Sequence, residues 1–462
     1  MQTLRTLSQK DDTIVALATP NGKSAIAVIR ISGKDAIQIC QSIFSKKNLT
    51  EQPSHTCHFG TIRNEKNEVI DEVIVTIFKE PTSFTKENLV EISCHGSNYI
   101  ISQIIQLLLA KGCRYALAGE FTQRAYLNGQ FDLAQAEAIA DLIQADSEVA
   151  HRLAIQQMRG GYSQKIKALR ERLIHFAALM ELELDFSEED VEFANRQELK
   201  QQLTDIEQFV KNLLQSYRLG NVLKNGVPVA IIGKPNAGKS TLLNALLQEE
   251  KAIVSEIEGT TRDAIEDERI IQGICFRFID TAGLRTTTDV IERIGIERTQ
   301  QKIRQAAILL YIFDIQKVSP EELAQLLPEI QSYQVPYLLV ANKIDTVEPG
   351  HLQQYQRFEN VIFISAQAQI NLEQLEQRLL QIVQADKLSP DQIVVTNLRH
   401  YESLQKTLIA LQQVAQGMQV GLSTEMLAAD MREAIFHLGT IIGEVSHEDL
   451  LDFIFSKFCI GK

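Results

Sequence analysis

The chain has 462 residues, and its 46 Lys and Arg against 59 Asp and Glu give a formal charge of -13. At roughly 150 residues per domain this length predicts about three domains, and an ordinary composition with 45% hydrophobic residues excludes a disordered or collagen-like chain. The acidic balance argues against coating nucleic acid through bulk charge, and the absence of Trp argues against broad base-stacking surfaces. Because neither a signal peptide nor a run of about 18 apolar residues is evident, we expect a cytoplasmic protein without a transmembrane segment.

The first 120 residues are predicted to form an α+β domain. Short apolar runs separated by turn residues are typical of strands, and a Pro-Asn-Gly turn between the first two runs indicates a hairpin. A later segment has apolar residues at helical spacing and ends at a glycine, which is typical of a helix stop. The strand-like runs are 13–19, 25–31, 68–78 and 89–93, and the helical run is 99–111.

A helical domain in two parts is predicted to enclose a second, mixed domain. Apolar residues recur at helical spacing before and after a central region, with one break at Gly160 and Gly161. In the central region short apolar strands alternate with helical segments, which predicts a parallel, doubly wound sheet. The strands are 227–232, 275–279, 308–313, 336–340 and 361–364. The predicted limits are 1–120 for the N-terminal domain, 121–220 and 386–462 for the helical domain, and 221–385 for the inserted α/β domain.

A phosphate-binding loop follows the first strand of the inserted domain. The residues Gly233-Lys234-Pro235-Asn236-Ala237-Gly238-Lys239-Ser240 fit G-x-x-x-x-G-K-S, and a helical run begins at Thr241. Glycines let backbone N–H groups close around phosphate oxygens, and the helix N-terminus adds a positive dipole. Lys239 is expected to reach the outer phosphates and the Ser240 hydroxyl to bind Mg²⁺. The alternative is a glycine-rich turn with a chance lysine.

Three further motifs follow in the order that a GTPase requires. One strand ends in Asp280-Thr281-Ala282-Gly283, where a carboxylate can hold the Mg²⁺ shell and a glycine N–H can contact the γ-phosphate. The next motif, Asn342-Lys343-Ile344-Asp345, offers a carboxylate that can accept both N1–H and N2–H₂ of guanine, a donor pair that adenine lacks. Ser365-Ala366 then suits backbone contact with the base. Together these elements resemble the translation-factor-type GTPases, with GTP as the substrate.

Segments outside the nucleotide motifs extend the resemblance to the whole chain. They are DDTIVALATPNGKSAIAVIRISG, SFTKENLVEISCHG, GEFTQRAYLNGQFDLAQAEAIADLI, DTAGLRTTTDVIERIGIER and the C-terminal FCIGK. Together they resemble the MnmE (TrmE) family of tRNA-modification GTPases. The family implies an N-terminal α+β domain for dimerisation and folate binding, an all-α helical domain, and a P-loop GTPase domain inserted in it.

The resemblance also implies how hydrolysis is catalysed. The water-positioning Gln that Ras-like GTPases carry after D-x-x-G is replaced here by Leu284, as in potassium-activated GTPases. Glu292 would orient the attacking water. Without the family match, the favoured interpretation of Glu292 is an exposed glutamate on the switch helix. By resemblance, K⁺ is bound by Asn236, Ser255, Ile257 and Thr260, Mg²⁺ is bound by Ser240 and Thr261, and the nucleotide is also lined by Glu256, Glu258 and Gly259.

The folate site implied by the family would use Arg30, Glu91, Gln130 and Lys462, with 5-formyl- or 5,10-methylene-tetrahydrofolate as ligand. A guanidinium and an ammonium suit the glutamyl carboxylates of folate, and a carboxylate suits pterin N–H donors. Many family members have Lys where Gln130 stands. Cys459 in the C-terminal motif is a candidate nucleophile, and the alternative is a buried small hydrophobe at a helix end.

The sequence therefore predicts a homodimeric, potassium-activated GTPase. With the FAD-dependent partner MnmG (GidA), in a heterotetramer or larger complex, the family modifies C5 of the wobble uridine of certain tRNAs. One alternative is a ribosome-assembly GTPase of the Era or EngA type, which predicts a basic RNA-binding module that the sequence lacks. Another is a nucleotide-gated scaffold with negligible hydrolysis, against which Lys239, Ser240, Asp280 and Asp345 argue.

Overall fold

A computed structural model describes residues 12–185, 196–247, 267–280, 303–383, 393–445 and 448–461. The chain divides into two compact units, each of which is described by itself. The first unit comprises Met1–Ala140, Gln157–Glu189 and Ala428–Lys462, and the second comprises Asp141–Gln156 and Asp190–Leu427. The domain limits predicted at 120, 220 and 385 stay predictions. Among the described residues, none of the helices combines the length and the hydropathy that a membrane span needs.

A sheet of seven strands forms the centre of the first unit, in the order β3-β4-β5-β6-β2-β1-β7. Its strands are β1 Ile14–Leu17, β2 Ser24–Ser32, β3 Phe44–Ser45, β4 Thr56–Arg63, β5 Val69–Phe78, β6 Leu89–Gly96 and β7 Arg114–Tyr115. Neighbouring strands are antiparallel except β1 and β7. The predicted N-terminal hairpin is confirmed, because Ile14 lies opposite Ser32 and Leu17 opposite Ile29.

Two helices cover one face of this sheet, α1 (Ala36–Ile43) and α2 (Asn98–Ala110). Their buried side chains join every second strand residue in one apolar cluster, as the two-residue period of a strand predicts. Ile29, Ile92 and Ile104 are fully buried there. The predicted α+β character of the N-terminal region is confirmed, although α1 and β4 had no sequence prediction.

The break predicted near Gly160 is confirmed by helix-end contacts in the first unit. Asp132 Oδ1 accepts the Gln135 N–H at 3.0 Å, and the Gln135 side chain accepts the Asp132 N–H at 3.1 Å, which is a reciprocal cap. Gln135 Nε2 also donates to the Met158 carbonyl at 2.9 Å, and Gly160 reverses the chain with φ of 82°. The Ser163 hydroxyl completes the cluster on Asp132 at 2.9 Å.

A second sheet of six strands forms the centre of the second unit, in the order β13-β12-β11-β8-β10-β9. Its strands are β8 Val227–Ile232, β9 Asp267–Ile271, β10 Ile274–Asp280, β11 Ile308–Asp314, β12 Tyr337–Asn342 and β13 Val361–Phe363. The five strands predicted from the sequence are parallel, which confirms the α/β class. The unpredicted β9 is an antiparallel edge strand on β10.

Helices connect and flank the strands along the rest of the chain. They are α3 Glu120–Leu127, α4 Leu133–Ile143, α5 Glu148–Met158, α6 Gly161–Asp185, α7 Arg196–Asn225, α8 Lys239–Leu247, α9 Pro320–Ser332, α10 Pro349–Leu352, α11 Leu372–Val383, α12 Leu398–Val420, α13 Thr424–Ile442 and α14 Glu448–Phe455. Apolar clusters lie on both faces of the second sheet, one containing Leu242 and Leu375 and the other containing Leu323 and Tyr355. The two covered faces are typical of a doubly wound sheet.

A tight turn joins β9 to β10 and contacts the start of α5. Gln272 and Gly273 form this turn with φ of 47° and 78°. The Gly273 carbonyl accepts the N–H of Val149 at 3.1 Å, and Val149 is buried in the same apolar cluster as Ile271 and Ile274. Residues at the start of α5 therefore belong to the core of the second unit.

Candidate functional site

The phosphate-binding loop joins β8 to α8 at the carboxyl end of the parallel strands, where open α/β sheets bind ligands. A Cβ at Gly233 would overlap the Ile312 carbonyl oxygen, and a Cβ at Gly238 would overlap the side-chain amide of Asn342. Both positions also have positive φ, at 155° and 105°. Only glycine fits at these two positions, so the loop presents bare backbone in the way that phosphate binding requires.

Lys239 starts α8 and folds back over the loop. Its Nζ donates to the carbonyls of Gly233 at 2.6 Å and Lys234 at 3.2 Å. The ammonium group thus lies among the loop carbonyls at the helix N-terminus. Ser240 and Thr241, in the first turn, are exposed, as is Asn236 in the loop. These groups are accessible to a polyphosphate and its metal ion.

Asn342 connects the phosphate loop to the two loops predicted to recognise the base. Its side chain is 2% exposed and donates from Nδ2 to the Ala237 carbonyl at 2.8 Å. Its Oδ1 accepts the N–H of Ala366 at 2.9 Å. A buried amide with both polar atoms satisfied fixes three segments relative to one another. The structure thus brings together the predicted residues Ala237, Asn342 and Ala366.

Lys343 continues this connection with a charged group. Its Nζ donates to the Asn236 carbonyl at 3.1 Å and to Asp314 Oδ2 at 2.7 Å. Asp314 ends β11 and is only 4% exposed. Asp314 was not predicted as a site residue; a carboxylate directly after the apolar run ILLYIF was the available signal.

Asp345 lies in the short turn Ile344–Thr346 and is exposed. Its carboxylate has no hydrogen bond to any residue that the structure describes, so both oxygens can accept ligand N–H groups. Ser365 is fully buried, and its hydroxyl accepts the N–H of Ala368 at 3.1 Å. Its backbone pairs with Ile370 in both directions, which fixes the loop that follows β13.

The loop after Ser365 carries strain at a position where glycine would be relaxed. Gln369 has φ of 55°, in the left-handed region that favours glycine. Gln369→Gly should raise the free energy of unfolding by about 0.5–1 kcal/mol, because relief of strain exceeds the added entropy of the unfolded chain. Urea unfolding would measure this change. Gln367→Gly, at a neighbour without positive φ, should destabilise the protein, and equal effects of the two changes would contradict the prediction.

Several predicted nucleotide residues lie outside the described ranges. These are Ser255, Glu256, Ile257, Glu258, Gly259, Thr260, Thr261, Thr281, Ala282, Gly283 and Glu292. For Asp280 the backbone alone is described: it ends β10 opposite Ile231 of β8, beside the phosphate loop. The roles of Asp280 and of the residues outside the described ranges stay predictions.

A second group of predicted residues lies in the first unit. Arg30 on β2 faces Glu91 on β6, and its Nε and Nη2 contact the same carboxylate oxygen at 3.0 and 2.7 Å. The guanidinium carbon also lies 5.6 Å from the ring centroid of Phe84 and 5.7 Å from that of Phe121. The strand arginine is thus salt-bridged and placed beside two aromatic rings, which favours a cation at this position.

The C-terminal segment contacts Arg30. Arg30 Nη1 donates to the Gly461 carbonyl at 3.3 Å, and Ile460 forms a β-bridge with Ala118. Cys459 is an exposed free thiol, so the alternative of a buried small hydrophobe is wrong; Phe458 is the buried residue there. Gln130 is also exposed, and its backbone N–H donates to the Ala125 carbonyl at 2.8 Å. Lys462 lies outside the described residues.

A partly buried ionic network lies in the same unit. Arg114 contacts Asp12 at 2.6 Å and Glu120 at 2.5 Å, and Arg124 contacts Asp12 at 2.5 Å and Glu87 at 3.3 Å. Burial by itself raises the pKa of Asp12 and Glu120, but hydrogen bonds and charge from the arginines outweigh it, so both pKa values lie below their usual range. The network connects the start of β1 to β7 and α3.

The depressed pKa values predict acid lability of the first unit. Stabilisation from Asp12 and Glu120 is present above their unfolded pKa values of about 4 and is lost as pH falls through the lower folded values. Glu120→Gln should lower the free energy of unfolding by about 1.5–3 kcal/mol at neutral pH and flatten this acid dependence. Urea unfolding across pH measures both effects. The exposed-residue control Glu65→Gln should change neither; an unchanged acid dependence in Glu120→Gln would contradict the prediction.

Comparison with known proteins covers nearly the whole chain. A family model described as the GTP-binding protein TrmE N-terminus matches residues 13–130, and one described as the MnmE helical domain matches residues 133–459. Proteins named tRNA modification GTPase MnmE are 55% identical in Cytophaga hutchinsonii (99% of both chains covered) and 53% in Flavobacterium johnsoniae (98% of this chain, 99% of the other). Among solved structures, a variant of Aquifex aeolicus Era bound to GDP and AlF4- matches 40% of this chain and 66% of its own, with 28% identity and a TM-score of 0.28.

Proposed function

The chain belongs to the MnmE family of tRNA modification GTPases, and on this premise we propose how it hydrolyses GTP and which reaction it serves. Hydrolysis of GTP is coupled to modification of C5 of the wobble uridine in certain tRNAs, yielding carboxymethylaminomethyl or aminomethyl derivatives. The one-carbon unit comes from a tetrahydrofolate, and the FAD-dependent MnmG acts with this protein. A homodimer in the cytoplasm is part of the proposal.

GTP binding is supported above all by the loops that the Asn342 side chain joins. A bare phosphate loop, the ammonium group of Lys239 and the Asp345 carboxylate, which has no hydrogen bond to any described residue, lie at one edge of the second sheet. This arrangement offers positive charge to phosphates and a two-oxygen acceptor to a base with adjacent N–H donors. Guanine has those donors, and a base without them would leave the carboxylate unpaired.

Potassium activation is proposed from the chemistry around Asn236. Asn236 is exposed on the phosphate loop and has a left-handed backbone with φ of 63°. Amide and carbonyl oxygens suit a monovalent cation placed between them and phosphate oxygens, and such a charge would stabilise the transition state of phosphoryl transfer. Ser255, Ile257 and Thr260 would complete the K⁺ ligands, and Ser240 and Thr261 would hold Mg²⁺.

Folate binding is proposed for the group around Arg30 and Glu91. The guanidinium, which is bonded to Glu91 and to the Gly461 carbonyl, is a charged group beside two aromatic rings, and the Glu91 carboxylate is an acceptor next to it. A bicyclic pterin with N–H donors and a glutamyl tail with carboxylates needs this combination. Gln130 and Lys462 are proposed as further contacts, and the exposed Cys459 as the nearby nucleophile.

GTP turnover in KCl and in NaCl at equal ionic strength tests the catalytic part of the proposal. The parent protein should hydrolyse GTP at least about tenfold faster in KCl, since the cation supplies charge that is worth several kcal/mol in the transition state. Asn236→Ala should remove this difference, whereas Glu292→Ala should slow turnover in both salts. Equal turnover of the parent protein in the two salts would contradict the K⁺ site and leave the GTPase activity standing.

A further inference from the structure

Two residues of the predicted nucleotide motifs have left-handed backbone and are joined by a hydrogen bond. Asn236 in the phosphate loop has φ of 63°, and Lys343 before the base-recognition turn has φ of 71°. Such conformations in residues other than glycine persist only when surrounding contacts hold them. A hydrogen bond of 3.1 Å from Lys343 Nζ to the Asn236 carbonyl joins the two strained residues directly.

Asp314 supplies the charge that holds Lys343 in this geometry. Its Oδ2 lies 2.7 Å from Lys343 Nζ, and the carboxylate side chain is only 5% exposed. Within the part of the chain that the structure describes, no other acidic group forms an ion pair with Lys343. A charge-assisted bond to a buried carboxylate is among the stronger hydrogen bonds in proteins.

The carboxylate is itself fixed by its own turn. Asp314 Oδ1 accepts the N–H of Gln316 at 3.1 Å, and the Asp314 carbonyl accepts the N–H of Lys317 and of Val318. The Gln316 side chain then donates to the Thr346 carbonyl at 3.1 Å, in the turn that carries the base-recognition carboxylate. The turn after β11 therefore contacts both the Lys343 ammonium group and the short turn Ile344–Thr346 that follows it.

We propose that Asp314 is a positioning residue for guanine-nucleotide binding. It acts through Lys343, whose ammonium group it orients so that the phosphate loop at Asn236 and the turn at Asp345 stay at a fixed separation. Loss of the charge would free the Lys343 side chain and let both left-handed residues relax. The nucleotide would then bind to two loops that are no longer fixed to each other. This proposal does not depend on K⁺ or folate.

A double-mutant cycle tests the proposal through the dissociation rate of N-methylanthraniloyl-GDP from the full chain in NaCl. Asp314→Asn should accelerate dissociation by about tenfold or more, because the charged bond is lost while an acceptor for Gln316 remains. Lys343→Met should accelerate it to a similar extent. Since both changes break one contact, the double variant should dissociate no faster than Lys343→Met. Asp314→Glu, which keeps the charge, should dissociate the nucleotide more slowly than Asp314→Asn, at a rate close to that of the parent protein.

A matched control separates positioning from general destabilisation. Asp141 forms an ion pair of the same length, 2.7 Å, with Lys224 in the same unit, and its side chain is 14% exposed. Asp141→Asn should lower the thermal midpoint and leave nucleotide dissociation unchanged. Should Asp314→Asn fail to fold, Asp314→Ser, which keeps a hydroxyl for the turn, takes its place in the cycle. Parental dissociation in a folded Asp314 variant, or additive effects in the double variant, would overturn the proposal.

Discussion

Lys239→Ala is expected to lower GTP turnover by about 10²–10³-fold. The ammonium group already lies at the phosphate loop, within hydrogen-bond distance of the carbonyls of Gly233 and Lys234. Anionic phosphates would draw it from these carbonyls, so its charge would be available where negative charge grows in the transition state. Alanine keeps the helix and removes the charge. Single-turnover hydrolysis with saturating enzyme measures the chemical step.

Lys234→Ala is the matched control for this prediction. Lys234 is in the same loop, but its side chain is 52% exposed and pairs with Glu322 at the start of α9. Its removal should leave turnover within about threefold of the parent, since exposed ion pairs contribute little. Thermal unfolding should be similar for both variants. The role assigned to Lys239 would be refuted by turnover of the Lys239 variant close to that of the Lys234 variant.

Asp345→Asn should exchange specificity for guanine with specificity for xanthine. Guanine offers two N–H donors to the carboxylate, whereas xanthine has a carbonyl oxygen in place of the amino group. An Asn side chain accepts from N1–H and donates to that carbonyl, so xanthine satisfies it and guanine does not. The mismatch should weaken GTP binding by about 10²–10³-fold and allow XTP to bind and turn over.

Competition between labelled GDP and unlabelled XDP, for the parent and for Asp345→Asn, measures this exchange. Glu348→Gln provides the control, because Glu348 is an exposed acid directly before the short helix α10 in the same loop. It should bind GDP as the parent does. If Asp345→Asn bound both nucleotides as the parent does, the base would be recognised elsewhere in the site.

Local patterns in the sequence were enough to predict the nucleotide loops. The strand predicted at 227–232 agrees with β8, because an unbroken apolar run bounded by glycines specifies a buried parallel strand. The order of the motifs after β8, β12 and β13 placed them at one sheet edge, where the structure has them for the described residues. Each of these predictions used only residues that are close to one another in the sequence.

Contacts between distant segments could not be predicted in the same way. Lys343 was predicted only as a member of its motif, and the sequence did not indicate its charge partner, Asp314, which lies 29 residues earlier in the chain. The strand β9 was missed because Asp267, Glu268 and Arg269 interrupt its apolar pattern, and only pairing with β10 makes it a strand. Such features arise from packing, which a single sequence records weakly.

The turn between β9 and β10 has a consequence for cutting the chain. A fragment limited to residues 221–385 would lack Val149, which packs beside Ile271 and Ile274 and donates its N–H to Gly273. Those two isoleucines would then meet water, and the carbonyl would lose its partner. The core of the second unit thus includes a residue some seventy positions before the predicted start of the α/β domain, so a fragment cut at the predicted limits is expected to be less stable than the full chain.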